Sequence, residues 1–222
     1  MGLFSRKKKP AEKVRLLGHP GHADTCKSLY LGAEKGVQLD PELIDIRSEQ
    51  YPDETLRSVS PFGKLPCLVE GEVVTSGIAA VLPYLDVRGG GQPLTPRKAQ
   101  HLGTQNYWIE VGAQQVQPRI EALVDGQPAE EAKDGLQKIF DGMDAHLQGK
   151  ECIVGAFSFA DVHWVAYLHL LHVAGQNSLI DERPNLKAWF EHMKVRKGSH
   201  GIAYTAMPSA ADIQRGGFAN AA

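Results

Sequence analysis

The chain has 222 residues, a length that suits one large domain or two small ones. Hydrophobic residues make up 42% and charged residues 23%, a globular balance that excludes a disordered chain. A formal net charge of −2 gives no global pull toward nucleic acid, which is not an expected partner. Three cysteines, Cys26, Cys67 and Cys152, are odd in number, far apart and without a CxxC. They argue against a disulfide framework and for a reducing, cytoplasmic setting.

Residues 1–13 form a basic extension that includes Arg6, Lys7, Lys8 and Lys9. It has too short an apolar core for a signal peptide, and a solvated terminus is preferred to a foothold on an anionic membrane. Val14 to Leu17 reads as a buried strand, ended by Gly18-His19-Pro20-Gly21. Asp24 or Thr25 then caps a helix that ends at Gly36. Leu43 to Ile46 is the second strand, and a polar, helical or irregular segment follows to about Ser58. Leu65–Val69 and Glu72–Val74 make a hairpin about Glu70-Gly71. Ser76 caps a third helix, with Ile78, Val81, Leu82 and Leu85 on one face. This order suits an α/β sandwich with one mixed sheet.

Residues 89–97, with three consecutive glycines, make the best linker. Beyond it come helices at about 97–124, 129–147, 159–174 and 184–196, broken at Gly126-Gln127-Pro128, at 149–155 and at 175–183. The expected division is therefore 1–13, 14–88, 89–97, an all-helical 98–196, and a weakly patterned tail at 197–222. His163, His169 and His172 share an apolar helix and read as core or interface histidines.

Ser60-Pro61-Phe62-Gly63-Lys64-Leu65-Pro66-Cys67 is the most specific run. Proline at a strand start cannot donate to the ladder. A cis bond before Pro66 would leave the Leu65 N–H and C=O able to pair with an extended peptide. Thr75-Ser76 at a helix start favours a carboxylate nearby. Gly155-Ala156-Phe157-Ser158-Phe159-Ala160-Asp161 reads as a capping box at the start of a buried helix.

On these residues, and on Arg183-Pro184 followed by Trp189, the chain resembles the glutathione transferase family over about residues 14–196. It resembles bacterial-type members of no assigned class. The family's usual run is Pro-Phe-Gly-Lys/Gln-Val-Pro, a hairpin, and Glu-Ser before the third helix. The resemblance implies an α/β thioredoxin-like N-terminal domain at 14–88, an all-α C-terminal domain, and a homodimer. It implies glutathione as co-substrate, docked by Lys64, Leu65, Pro66, Thr75 and Ser76. Thr75 stands where the family has an acid, so a carboxylate near the γ-glutamyl amino group is missing.

Family classes place Tyr, Ser or Cys at the start of the first helix to stabilise the thiolate. Here the turn reads Gly21-His22-Ala23-Asp24-Thr25-Cys26. Cys26 is the nearest match, Thr25 a hydroxyl alternative and His22 a lesser pocket donor. Asp24 would repel a thiolate. An acceptor pocket is expected near Tyr107, Trp108 and Val111, residues whose spacing equally suits a core. No metal is expected, since His19, His22 and Cys26 lack a second ligand pair. The function implied is activation of the glutathione thiol for attack on a small electrophile. The alternatives are disulfide exchange through Cys26 and a non-catalytic binding or assembly protein of the same fold.

Overall fold

A computed structural model describes residues 14–19, 21–46, 48–124 and 129–202. The basic extension, the break at 126–128 and the tail beyond residue 202 lie outside the described residues. Four strands are described: β1 (Val14–Gly18), β2 (Leu39–Leu43), β3 (Cys67–Glu70) and β4 (Val73–Ser76). They form one mixed sheet in the order β2-β1-β3-β4. β1 runs parallel to β2 and antiparallel to β3, and β3 pairs antiparallel with β4.

Side chains alternate across a strand, so this sheet buries two faces. Val14, Leu16 and Leu68 enter the large core, whereas Leu17, Cys67 and Val69 join a smaller cluster with Ile44 and Leu56. Helix α2 (Glu54–Val59) covers the smaller side, with Asp53 capping it by accepting the Leu56 N–H at 2.8 Å. Helices α1 (Ala23–Lys35) and α3 (Ile78–Arg88) cover the other.

The remaining helices are α4 (Ala99–Val111), α5 (Gln117–Val124), α6 (Ala129–Leu147), α7 (Phe159–Val173), α8 (Ser178–Asp181) and α9 (Pro184–Lys194). They form the helical domain, and α7 packs directly on α1. Every residue of α7 from Phe159 to Leu171 is buried, as its apolar sequence requires. His163 and His169 are among them. Burial holds the His163 imidazole well below its ordinary pKa, with Lys27 adding to the effect. His169 is lowered to about 4, mainly by burial.

Several expected boundaries shift. The second strand is Leu39–Leu43, not residues 43–46, and it contains Pro41. β2 is an edge strand, where proline's missing N–H costs the sheet nothing. Neither Asp24 nor Thr25 caps α1, because the helix begins at Ala23, ahead of both, and its N-cap is His22. Ser76 ends β4 and Gly77 is the N-cap of α3. The single helix expected at 97–124 is interrupted by a π-helical turn at Gly112–Val116. Pro118 follows that turn and cannot donate a helical hydrogen bond, a recognised cause of such local rewinding. At the start of the weakly patterned tail, Lys197–His200 forms a 3₁₀ turn packed on α1.

Candidate active site

A cavity of about 710 Å³ opens where three chain segments converge. His22 and Asp24 come from the start of α1, and Phe62 to Leu65 from the loop before β3. Ser76, Gly77 and the first turn of α3 complete it, with Tyr51 at the side.

The loop is shaped by its own hydrogen bonds. The Ser60 hydroxyl accepts the Lys64 N–H at 3.0 Å, and the Ser60 carbonyl accepts the Gly63 N–H at 2.8 Å. Gly63 has φ 62°, a conformation that disfavours any side chain. The Tyr51 hydroxyl donates to the Gly63 carbonyl at 3.2 Å. The Leu65–Pro66 bond is cis, and the β3–β4 ladder begins just beyond it at Cys67 opposite Ser76. The Gly77 N–H donates to the Pro66 carbonyl at 2.9 Å, which ties the loop to the start of α3. The first amides of α3 have no intrahelical partner, so this end of the cavity suits an anion.

Of the residues expected to dock glutathione, Lys64, Leu65 and Ser76 line the cavity. Pro66 lies behind the lining. Thr75 pairs with Leu68 on β4, one residue before Ser76, and strand alternation sends the two side chains to opposite faces. The Ser76 hydroxyl donates to the Cys67 sulfur at 3.2 Å.

The two residues expected to do chemistry are buried beneath the turn rather than lining the cavity. Cys26 is 2% exposed within the large core, and burial pushes its thiol up to about 12. Lys27 opposes that rise without reversing it. Thr25 is fully buried, and its hydroxyl accepts the His19 N–H at 3.1 Å. Gly18 makes room for it: a Cβ there would stand 2.5 Å from the Thr25 oxygen. Cys67 is buried beneath the loop, and the half-buried Cys152 thiol is raised to about 12, chiefly by burial.

His22 is the group this turn presents instead. Its Nε2 lies 3.8 Å from Oε1 of Glu121 on α5, and its Nδ1 is buried without a hydrogen-bond partner among the described residues. Beneath it is a polar cluster that sequence reasoning missed. Lys27, only 1% exposed, donates to Asp24 at 2.6 Å, to Gln117 at 2.8 Å and to the Tyr167 hydroxyl at 2.9 Å. Gln117 in turn donates to Glu121 at 2.9 Å. In sequence, nothing marks Lys27 as buried. The burial of Lys27 follows from the docking of α1 on α7.

The expected acceptor residues do not line this cavity. Trp108 is 7% exposed and packs between Trp164, at a ring separation of 5.5 Å, and His146, at 5.1 Å. Val111 packs against the core, and Tyr107 is exposed. Among the described residues, no group of three or more His, Cys, Asp or Glu gathers as a metal site. His19 Nδ1 accepts the Gly21 N–H at 3.1 Å.

A mixed four-stranded sheet with a cis-proline loop, docked through α1 on an all-helical domain, defines the glutathione transferase fold. Comparison with known proteins agrees. Residues 118–196 match the family model for the glutathione S-transferase C-terminal domain. Glutathione S-transferase F10 of Arabidopsis thaliana is 27% identical over 195 residues, spanning 80% of this chain and 90% of its own length. Among solved structures, glutathione transferase F7 from Populus trichocarpa aligns with a TM-score of 0.71 at 23% identity, over 85% of this chain and 99% of that one. A Pseudomonas putida glutathione transferase, crystallised with glutathione disulfide, gives 0.73 at 16% identity over 89% and 94%. The matches support the glutathione S-transferase family. The curated relatives are plant proteins and lend no support to a bacterial-type affiliation.

Proposed function

We propose that this protein is a glutathione transferase that presents the glutathione thiol to a small electrophile for conjugation. The observation that carries this reading is the convergence of the Phe62–Leu65 loop, the start of α3 and the start of α1 on one cavity. The ligand's extended backbone would lie against Leu65, behind which Pro66 fixes the bend. Its γ-glutamyl carboxylate would sit over the first amides of α3 beside Ser76, and Lys64 would face its other carboxylate. Thr75 supplies no acid for the γ-glutamyl amine. The thiol then falls at the start of α1, where the helix dipole favours an anion.

The disulfide-exchange reading through Cys26 gains nothing from this geometry. A thiol raised to about 12 is protonated at neutral pH, and Cys26 lies outside the cavity lining. The same holds for Thr25 as a hydroxyl donor, since its side chain is fully buried and outside the cavity lining. The electrophile would approach from the α4–α5 side, where exposed Tyr107 offers more surface than Trp108 or Val111. A homodimer in the cytoplasm, and the division at residues 89–97, belong to this same proposal. Phe62, 91% exposed, with Val73 and Val74 on the edge strand, offers apolar surface to a second copy.

Calorimetric titration with glutathione tests the reading. The wild-type protein is expected to bind at millimolar concentrations or below, and Ser76→Ala and Lys64→Ala to weaken binding about tenfold each. Equal affinity in all three would show that the ligand lies elsewhere.

A further inference from the structure

We propose that His22 takes the proton of the bound glutathione thiol, and that Glu121 is the positioning residue that holds its imidazole for this task. The inference rests on the glutathione-binding reading above and names the group that reading lacks. The start of α1 gives the cavity two ionisable side chains, His22 and Asp24. Asp24 is engaged by Lys27 at 2.6 Å, and its charge would repel a thiolate. His22 is left to do the work.

The two ring nitrogens of His22 have different surroundings. Nε2 faces the Glu121 carboxylate at 3.8 Å. Nδ1 is shielded from solvent with no hydrogen-bond partner among the described residues, although His22 itself lines the cavity. A buried polar atom without a partner is costly, and this leaves the ring free to take up a new hydrogen bond when a ligand fills the cavity. The Glu121 carboxylate beside Nε2 orients the ring. Glu121 is itself held by the Gln117 amide at 2.9 Å, and Gln117 by buried Lys27 at 2.8 Å. The positioning chain thus runs from the helical domain to the turn.

The step balances simply. The S–H bond breaks, its electron pair stays on sulfur, and the proton forms an N–H bond on the His22 imidazole. The sulfur pair then forms a C–S bond to the electrophile. In a substitution the leaving group departs with the carbon's bonding pair, and the imidazolium returns its proton to solvent. In an addition the displaced pair on the acceptor takes that proton.

Asp24 on α1, Glu121 on α5, and Tyr51 and Lys64 across the cavity face this centre, with Lys27 beneath it. Lys64 and Lys27 favour a thiolate, and Asp24 opposes it. Glu121 acts through the imidazolium.

Two measurements test the proposal. In the first, the ultraviolet absorbance of the bound thiolate is followed against pH. His22→Ala should raise its midpoint by about one pH unit or more, and Glu121→Gln by a smaller amount, while glutathione affinity changes by less than about threefold. An unmoved midpoint in His22→Ala with glutathione still bound overturns the proposal. The second needs no variant. In ¹⁵N-histidine-labelled wild-type protein near neutral pH, glutathione should convert the His22 ring to imidazolium, and S-methylglutathione, which has no thiol proton, should not. A ring unchanged by bound glutathione, or changed equally by both ligands, overturns the proposal. Failure of the wild-type protein to bind glutathione at all overturns the underlying function and this inference with it.

Discussion

Cys26 and His22 are four residues apart at the start of α1, yet one is sealed in the core and the other lines the cavity. Cys26→Ala is therefore expected to conjugate glutathione to a generic electrophile within about twofold of wild type, measured as initial rates, because the side chain lies outside the cavity lining. Thr25→Val should cost about 1–3 kcal/mol in denaturant unfolding, since it leaves the buried His19 amide without its acceptor. That Lys64, Leu65 and Ser76 lie close together was legible in sequence because a strand-opening proline and a helix start carry local signals. The chemistry was not. Residue type pointed to Cys26, but the face that α1 buries depends on where the helix starts. That face is set by the packing of α1 on α7, a tertiary contact.

The same contrast appears at the level of whole elements. The capping box was readable from spacing, and the structure adds to it. Asp161 accepts N–H groups from Ile153 and Ser158 at 2.9 Å each, and the Trp189 indole N–H at 3.1 Å. One carboxylate thus ties the start of α7 to α9 and to the loop before it. Asp161→Ala leaves several buried donors without an acceptor and should cost about 3 kcal/mol or more in thermal or denaturant unfolding.

The cap on α9 carried no sequence signal, because it comes from another helix. Asp144 on α6 accepts the Asn185 N–H at 2.7 Å and the Leu186 N–H at 2.9 Å. Burial alone would raise the Asp144 carboxyl, but the Leu186 and Asn185 donors outweigh it and hold it below the usual range. A carboxyl lowered in the folded state stabilises above its unfolded pKa, near 4, and loses that contribution as pH falls through the lowered value. Asp144→Asn should therefore flatten the acid limb of stability against pH below about 4, and Asp144→Ala should cost about 1 kcal/mol at neutral pH. The edge strand at Leu39–Leu43 was also hidden, since Pro41 reads as a strand breaker until its edge position is known.

Across the whole molecule, α1 is the shared wall: one side packs on α3 and the sheet, and the other on α7. The order of elements was legible because hydrophobic periodicity switches from strand to helix after Gly89. The polar cluster that locks the two halves together was not, since Lys27, Gln117 and Tyr167 lie up to 140 residues apart in sequence. Lys27→Met removes a buried cation and leaves the partly exposed Asp24 uncompensated, an expected loss of about 1–3 kcal/mol in unfolding free energy. The altered support should reach Glu121 and lower kcat more than it raises KM for glutathione.

What the fold, the cavity and the comparisons share is a claim about turnover. Its most direct test is the initial rate of thioether formation between glutathione and an activated haloarene, catalysed by the wild-type protein at neutral pH. The account predicts a rate that saturates with glutathione and stands well above the uncatalysed reaction. A folded protein that binds glutathione and leaves that rate at the uncatalysed level would contradict it.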